Sequence, residues 1–442
     1  MEYVVHGGRK LSGKVSLQGS KNCAMKLVFV PLLAPGVYNF TNLPKITSIS
    51  NLVKIGEILG YKVEWHDDQH SVTIDSTNIN PEAKIDSYLF YHTSGGVYLN
   101  TFLTGRYGKY TQPNNERGDA GGDRIGRSQV HRVDPFFNDM HVEVSENDES
   151  ILYQTMDDKG FTIDGKHGMG LTIGGIICAL FRTTDSVIQN ASEVMEVDEF
   201  IRIVQLMGAN IKREEDRIVV NPSPNLQAID CDNPNDQHEF VTLVSAALVT
   251  ESAITIENVD AEILKLDIFF NLLVEMNVNF SYKSETRKFV LDENKIVDLK
   301  PVNIVAGQYP DFITEWQVLI SPLLALIDGD STVVEKYYPD RMRHWEDLAK
   351  FGAKYEYYQD ERAPEVDGKP RAVKVHGGVK LHAAEVEAKD LRSSAACVIA
   401  ALAADGESKI EDPENHLRRG YEDLPGKLNA LGADIEKQMW LK

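Results

Sequence analysis

Cysteine is scarce, with four in 442 residues, at positions 23, 178, 231 and 397. None belongs to a CxxC pair, and Cys178 and Cys397 fall inside apolar runs. This pattern supports neither a disulfide framework nor a zinc site, and it fits a reducing cytoplasm. Long hydrophobic runs are missing too, since no stretch approaches the roughly 20 apolar residues of a membrane span. The opening Met1-Glu2-Tyr3-Val4-Val5-His6 lacks the basic-then-apolar pattern of a secretory signal. The histidines are isolated, which removes support for a metal centre. Walker A, HExxH and GxSxG sequences are absent, and Gly168-Met169-Gly170 with Gly174 has the wrong spacing for a dinucleotide fingerprint. Positive charge is in deficit: 46 Lys and Arg face 67 Asp and Glu, a formal net charge of −21. Such a field disfavours nucleic acid and anionic membranes. A phosphate site in this chain must therefore concentrate its lysines and arginines locally. What is present is ordinary for a globular protein, 42% hydrophobic and 26% charged, and the length suffices for two or three domains.

One phrase recurs along the chain: an apolar helix ending at Gly or Asn, then an alternating strand. It reads Ile58-Leu59-Gly60-Tyr61-Lys62-Val63, Leu206-Met207-Gly208-Ala209-Asn210-Ile211, Lys350-Phe351-Gly352-Ala353-Lys354-Tyr355 and Ala430-Leu431-Gly432-Ala433-Asp434-Ile435, with Asn277 replacing Gly in Glu275-Met276-Asn277-Val278. The Gly or Asn is expected in the left-handed conformation that closes a helix. A second apolar helix and strand precede each copy: 22–33 then 37–40, 240–249 then 253–256, 316–327 then 331–334, and 393–403 then 408–410, with a weaker one at 174–180 then 186–188. A degenerate sixth falls near 95–105, with 137–144 as its later strand. A period of roughly 70–80 residues predicts about six mixed α/β units, arranged as two lobes of three. The nearly all-apolar helices are expected inside, with sheets of one wet face around them.

Several unit helices begin with polar or charged clusters: Gly19-Ser20-Lys21-Asn22, Asp311-Phe312-Ile313-Thr314-Glu315-Trp316-Gln317, and Lys389-Asp390-Leu391-Arg392-Ser393-Ser394. Helix N-termini favour anions, and Lys21 and Arg392 add charge to them. Ser20, Thr314 and Asp390 are equally suited to plain capping. Arg117-Gly118-Asp119-Ala120-Gly121-Gly122-Asp123-Arg124-Ile125-Gly126-Arg127 is unusually rich in Gly, Asp and Arg. It reads either as a loop that closes over substrate or as a solvated surface loop. His416-Leu417-Arg418-Arg419-Gly420-Tyr421-Glu422 reads as a second basic element or as a helix start with exposed arginines.

Taken in order, these motifs resemble the enolpyruvyl transferase family over nearly the whole chain. The resemblance is carried by His6-Gly7-Gly8-Arg9 with Gly19-Ser20-Lys21-Asn22, by Asn190-Ala191-Ser192-Glu193, by 311–317, by Asp390-Leu391-Arg392-Ser393-Ser394-Ala395 and by Arg419-Gly420-Tyr421-Glu422. It is stronger to the branch that uses UDP-N-acetylglucosamine than to the branch that makes enolpyruvylshikimate phosphate. It implies two lobes forming an inside-out α/β barrel of six βαβαββ-like units with the active site between them, 1–20 with 230–442 as one lobe and 21–229 as the other. The implied activity moves the enolpyruvyl group of phosphoenolpyruvate to a hydroxyl of UDP-N-acetylglucosamine, releasing phosphate, in the cytoplasmic synthesis of peptidoglycan precursors. It requires neither a cofactor nor a metal, and the oligomeric state stays open, a monomer included. The alternatives are another nucleotide or sugar acceptor in specialised metabolism, or a non-catalytic nucleotide-binding descendant.

The resemblance also implies roles. Lys21 binds phosphoenolpyruvate and Asn22 the acceptor, while Arg392 and Arg419 hold the phosphate and carboxylate. Arg341 matches a further functional arginine. Glu315 stands where the family has an aspartate that deprotonates the acceptor. Asp123, in the 116–128 loop, takes the place of the usual loop cysteine as the proton donor, which requires desolvation of its carboxyl. Arg127 is the candidate loop cation, with Arg124 an alternative, because strict spacing puts Ser128 at that position. Ser94 and Gln237 stand where the family has arginines.

Overall fold

The computed structural model describes residues 1–66, 70–91, 93, 95–96, 98–113, 136–366 and 368–438. The segment carrying Asp123, Arg127 and the 116–128 loop lies outside them, as does Ser94. The chain forms two compact units, Met1–Gln18 with Asn235–Lys442, and Gly19–Pro234. No helix among the described residues is long and apolar enough to cross a membrane.

In the first unit the core is three helices, Gln237–Val249, Thr314–Leu326 and Leu391–Ala403, which pack on one another. Every residue of Gln237–Val249 is buried, and Leu391–Ala403 is buried from Leu391 to Leu402. Sequences such as Val398-Ile399-Ala400-Ala401-Leu402 have no polar face to give to water, so a central position is the only one that buries all of their apolar surface. Three sheets accompany them. In each, four strands run in the order of one parallel pairing and then two antiparallel ones, and one sheet adds a fifth strand, Phe312–Ile313, parallel to Asn303–Gly307. Ser12–Ser16 lies parallel to Ala253–Glu257, which pairs antiparallel to Lys288–Leu291, which pairs antiparallel to Phe280–Lys283. Asn303–Gly307, Asp330–Glu335, Ala372–His376 and Lys354–Tyr358 repeat the order. So do Glu385–Glu387, Glu407–Glu411, Glu2–His6 and Ile435–Gln438. The first strand of the chain thus completes a sheet whose other strands are the last ones.

The second unit repeats the pattern around the helices Lys21–Leu27, Tyr98–Tyr107, Met169–Leu180 and Met195–Leu206. The sheet of Cys231–Asp232, Val37–Thr41, Ser71–Asp75 and Lys62–His66 again runs parallel, antiparallel, antiparallel. Thr162–Asp164, Ser186–Gln189, Arg217–Val220 and Ile211–Glu214 do the same. The weakest repeat gives a sheet with three strands among the described residues, Lys109–Pro113, Ser150–Thr155 and Val142–Glu146.

The helix-closing residues behave as their chemistry requires. Gly60, Gly208, Gly352, Gly432 and Asn277 all have positive φ, between 64° and 110°. In each case the next residue's N–H reaches back to a carbonyl five positions earlier, as from Tyr61 to Gly56 and Val278 to Leu273, which satisfies a helix-end acceptor. The sixth copy uses His141, at φ 58°, after the short 3-10 turn Asn138–Met140.

Two local expectations are corrected. The run 22–33 is not one helix: Lys21–Leu27 is α-helical, and Val30–Leu32 is a 3-10 turn in which Pro31 supplies no backbone donor. Thr314 is not a cap. Ile313 holds that position without a side-chain bond, and the Thr314 hydroxyl instead donates to Glu335 at 2.5 Å.

Candidate functional site

In the first unit Arg392 is the second residue of its helix. Asp390 caps that helix in a closed capping box, its carboxylate accepting from the N–H groups of Arg392 and Ser393 while the Ser393 hydroxyl accepts from the Asp390 N–H. The Arg392 side chain is buried, with its guanidinium 5.4 Å above the Tyr421 ring and Nη1 donating to Tyr421 Oη at 3.0 Å. Burial pushes the Tyr421 phenol above its ordinary range, so it stays neutral beside the cation.

Arg419 ends the 3-10 turn Leu417–Arg419. It faces His416 Nδ1 at 3.4 Å and Glu414 at 3.6 Å. Burial, then the Arg419 charge, hold the imidazole of His416 below its usual pKa. The Asp412 carboxylate accepts from the backbone N–H groups of His416 and Leu417 and anchors this turn. Gly420 follows, where an added Cβ would lie 2.4 Å from Leu391 Cδ2, so the turn lies close against the first residue of the Arg392 helix and a larger residue would require the Leu391 side chain to shift.

Arg341 and Glu315 are brought together, with Nη2 3.6 Å from Oε1. The Arg341 guanidinium also lies 5.1 Å from the Tyr338 ring centre. Behind this pair sits Glu335, fully buried, which accepts from Thr314 Oγ1 and from the N–H groups of Tyr337 and Tyr338 at 2.7 and 2.8 Å. Its carboxyl is pushed above the ordinary range by burial, against the pull of these donors. His344, buried with its pKa lowered to about 3 by desolvation, is a neutral spacer between Ser321 Oγ and the Arg341 carbonyl.

In the second unit Lys21 and Asn22 open the helix capped by Ser20, whose hydroxyl accepts from the Cys23 N–H. Lys21 is buried, and Asn22 Nδ2 donates to Glu196 at 3.0 Å. Lys26 reaches back to the Asn22 carbonyl at 2.8 Å and stands 4.9 Å from the Tyr98 ring centre. Gly19 is obligatory, because a Cβ there would lie 1.7 Å from the Asn42 carbonyl oxygen.

Within the first unit the residues offer buried arginines and a paired carboxylate, the equipment for binding a small polyanion and moving protons near it. Comparison with known proteins gives the family. The family model described as EPSP synthase (3-phosphoshikimate 1-carboxyvinyltransferase) matches residues 5–428. The chain belongs to this family.

It is accordingly an enzyme of the 1-carboxyvinyltransferase class. Among its relatives, UDP-N-acetylglucosamine 1-carboxyvinyltransferase 2 of Lactiplantibacillus plantarum is 30% identical over 445 residues, covering 98% of this chain and 97% of that protein. UDP-N-acetylglucosamine 1-carboxyvinyltransferase of Chlorobaculum parvum is 28% identical, covering 99% and 98%. The enolpyruvyl transferase NikO of Streptomyces tendae has the same fold, with TM-score 0.84 at 21% identity and 98% of each chain covered. So has EPSP synthase of Acinetobacter baumannii, with TM-score 0.72 at 14% identity, covering 99% of this chain and 100% of that one.

Within this family member, the sequence alone did not single out Glu335. It is buried behind the Arg341–Glu315 pair, and no motif marks it. Gln237, where the resemblance expects an arginine, is buried at the start of its helix, after the capping residue Asp236.

Proposed function

We propose that this enzyme transfers the enolpyruvyl group of phosphoenolpyruvate to a hydroxyl of UDP-N-acetylglucosamine, in the cytoplasm, as a step toward peptidoglycan. The observation that carries this reading is the 30% identity to a UDP-N-acetylglucosamine 1-carboxyvinyltransferase 2 across 98% of the chain. Each of the two units is proposed to be one lobe of an inside-out barrel, its three sheets being three copies of one folding unit.

The chemistry is addition followed by elimination. The acceptor oxygen attacks C2 of phosphoenolpyruvate while a proton is delivered to C3, giving a tetrahedral adduct with a methyl group. Loss of phosphate and of a C3 proton restores the double bond. Arg392 and Arg419 hold the phosphate and carboxylate, Lys21 completes the anion clamp, and Asn22 and Arg341 orient the substrates. Glu315 takes the acceptor proton, with Arg341 holding its carboxylate in place. Asp123 gives the proton to C3, and Arg127 adds positive charge from the same loop. The buried, capped setting of Arg392 supports this, because a guanidinium fixed before binding loses little freedom when the anion arrives.

A second reading keeps the reaction but changes the acceptor to another nucleotide or sugar. It is favoured by the neutral Gln237 at a position where the resemblance expects an arginine. Phosphate release from phosphoenolpyruvate, measured with UDP-N-acetylglucosamine, other uridine nucleotides and shikimate 3-phosphate, tests both readings. Fastest release with UDP-N-acetylglucosamine supports the first, fastest release with another nucleotide supports the second, and turnover with shikimate 3-phosphate alone overturns both.

A further inference from the structure

Arg392 donates from Nη1 to Tyr421 Oη at 3.0 Å, and Tyr421 Oη lies 2.8 Å from Thr242 Oγ1. Thr242 Oγ1 in turn donates to the His238 carbonyl at 2.7 Å. The proton count along this chain has one solution. A guanidinium can only donate, so the phenol oxygen accepts from it. The threonine proton is committed to a carbonyl, which can only accept. The phenol proton therefore points at Thr242, and the chain runs in one direction from Arg392 to the first turn of the Gln237–Val249 helix. The phenol itself cannot drift. Gln18 donates to the carbonyl of Gly420 at 2.7 Å and accepts from the N–H of Glu422 at 2.9 Å, holding the backbone on both sides of Tyr421. Tyr421 and Thr242 are both buried, so water does not compete for these bonds.

We propose that Tyr421, backed by Thr242, is the positioning residue that aims the Arg392 guanidinium at the anionic substrate. The ring face holds the cation at the right depth, and the hydroxyl fixes its rotation. This inference rests on the reading of Arg392 as a phosphoenolpyruvate ligand.

The test is a kinetic and binding comparison of full-length variants, with phosphoenolpyruvate titrated calorimetrically so that binding is read even without an acceptor. Tyr421→Phe keeps the ring and removes the hydroxyl. It should weaken phosphoenolpyruvate binding and raise its KM by about five- to tenfold, as expected for a misaimed charged hydrogen-bond donor. The KM of the nucleotide acceptor should stay within about twofold. Thr242→Val should shift the same parameter in the same direction, less strongly, and Thr242→Ser should restore it. The double variant Tyr421→Phe/Thr242→Val should be no worse than Tyr421→Phe, because the chain is already cut. Equal loss in Thr242→Val and Thr242→Ser, additive effects, or equal changes in both substrate KM values overturn the proposal in favour of plain packing. Should Tyr421→Phe not fold, the Thr242 pair decides alone. Arg392→Ala separates the two levels: unchanged phosphoenolpyruvate binding there overturns both the clamp and its positioning, whereas a large loss in Arg392→Ala with none in Tyr421→Phe overturns only the positioning.

Discussion

Glu239 provides a test of how the first unit is held together. Its carboxylate is fully buried, receives Lys427 Nζ at 2.8 and 2.9 Å, and accepts the Gln18 N–H at 2.6 Å. Lys427→Met removes the cation and leaves a buried charge that still accepts from the Gln18 N–H. Breaking such a pair costs about 3–5 kcal/mol when the remaining group must stay ionised. Glu239 has an escape, since burial already raises its pKa against the pull of Lys427, and without Lys427 the shift grows. A carboxyl whose folded pKa lies above its unfolded value binds more protons in the native state. Stability is therefore full below the unfolded value, about 4.3, and falls as pH rises through the folded one. The deficit of Lys427→Met relative to wild type should be small at pH 5 and reach about 3 kcal/mol at pH 8. Urea denaturation at both pH values measures it. Glu239→Gln/Lys427→Met, which keeps an acceptor for Gln18 and buries no charge, should recover most of the loss at pH 8. A deficit equal at the two pH values, or a double variant no better than Lys427→Met, would refute the argument.

Glu315→Gln should lower turnover on the order of 10²–10⁴-fold with little change in stability, read by single-turnover kinetics. Gly60→Ala should cost more than Gly208→Ala in thermal denaturation, although both have positive φ: a Cβ at Gly60 meets the Asn78 carbonyl at 2.2 Å, whereas none is crowded at Gly208. The open site should lose about 1–2 kcal/mol for the left-handed conformation alone. Asp390→Ala should cost about 1 kcal/mol of stability and also weaken phosphoenolpyruvate binding, because the cap it removes sits under Arg392. Cys23, Cys178 and Cys397 are buried thiols with raised pKa, Cys178 to about 11, and should react with thiol reagents only on unfolding, as mass spectrometry will show.

Much of the local architecture was legible because it follows from short-range rules. A Gly or Asn between an apolar helix and an alternating strand has few conformations open to it, and all five such residues proved left-handed. The sixth was hidden because His141 carries no such signal. Long apolar helices were visible by composition, but their ends were not. Pro31 ended one early, while Pro322 sits inside the Thr314–Leu326 helix without ending it. The candidate charged residues were recognisable as motifs, yet their supports were not. Glu239 and Lys427 are 188 positions apart, and Gln18 reaches Gly420 across 402. Such pairings depend on which repeats become neighbours, and no local pattern encodes that.

The most direct test of the central claim is an NMR-monitored reaction of phosphoenolpyruvate with UDP-N-acetylglucosamine in deuterated water. The account predicts inorganic phosphate appearing in step with a nucleotide-sugar enol ether whose vinyl carbon carries deuterium, because C3 passes through a methyl group before elimination. Phosphate accompanied by free pyruvate, or no phosphate at all with this acceptor, would contradict it.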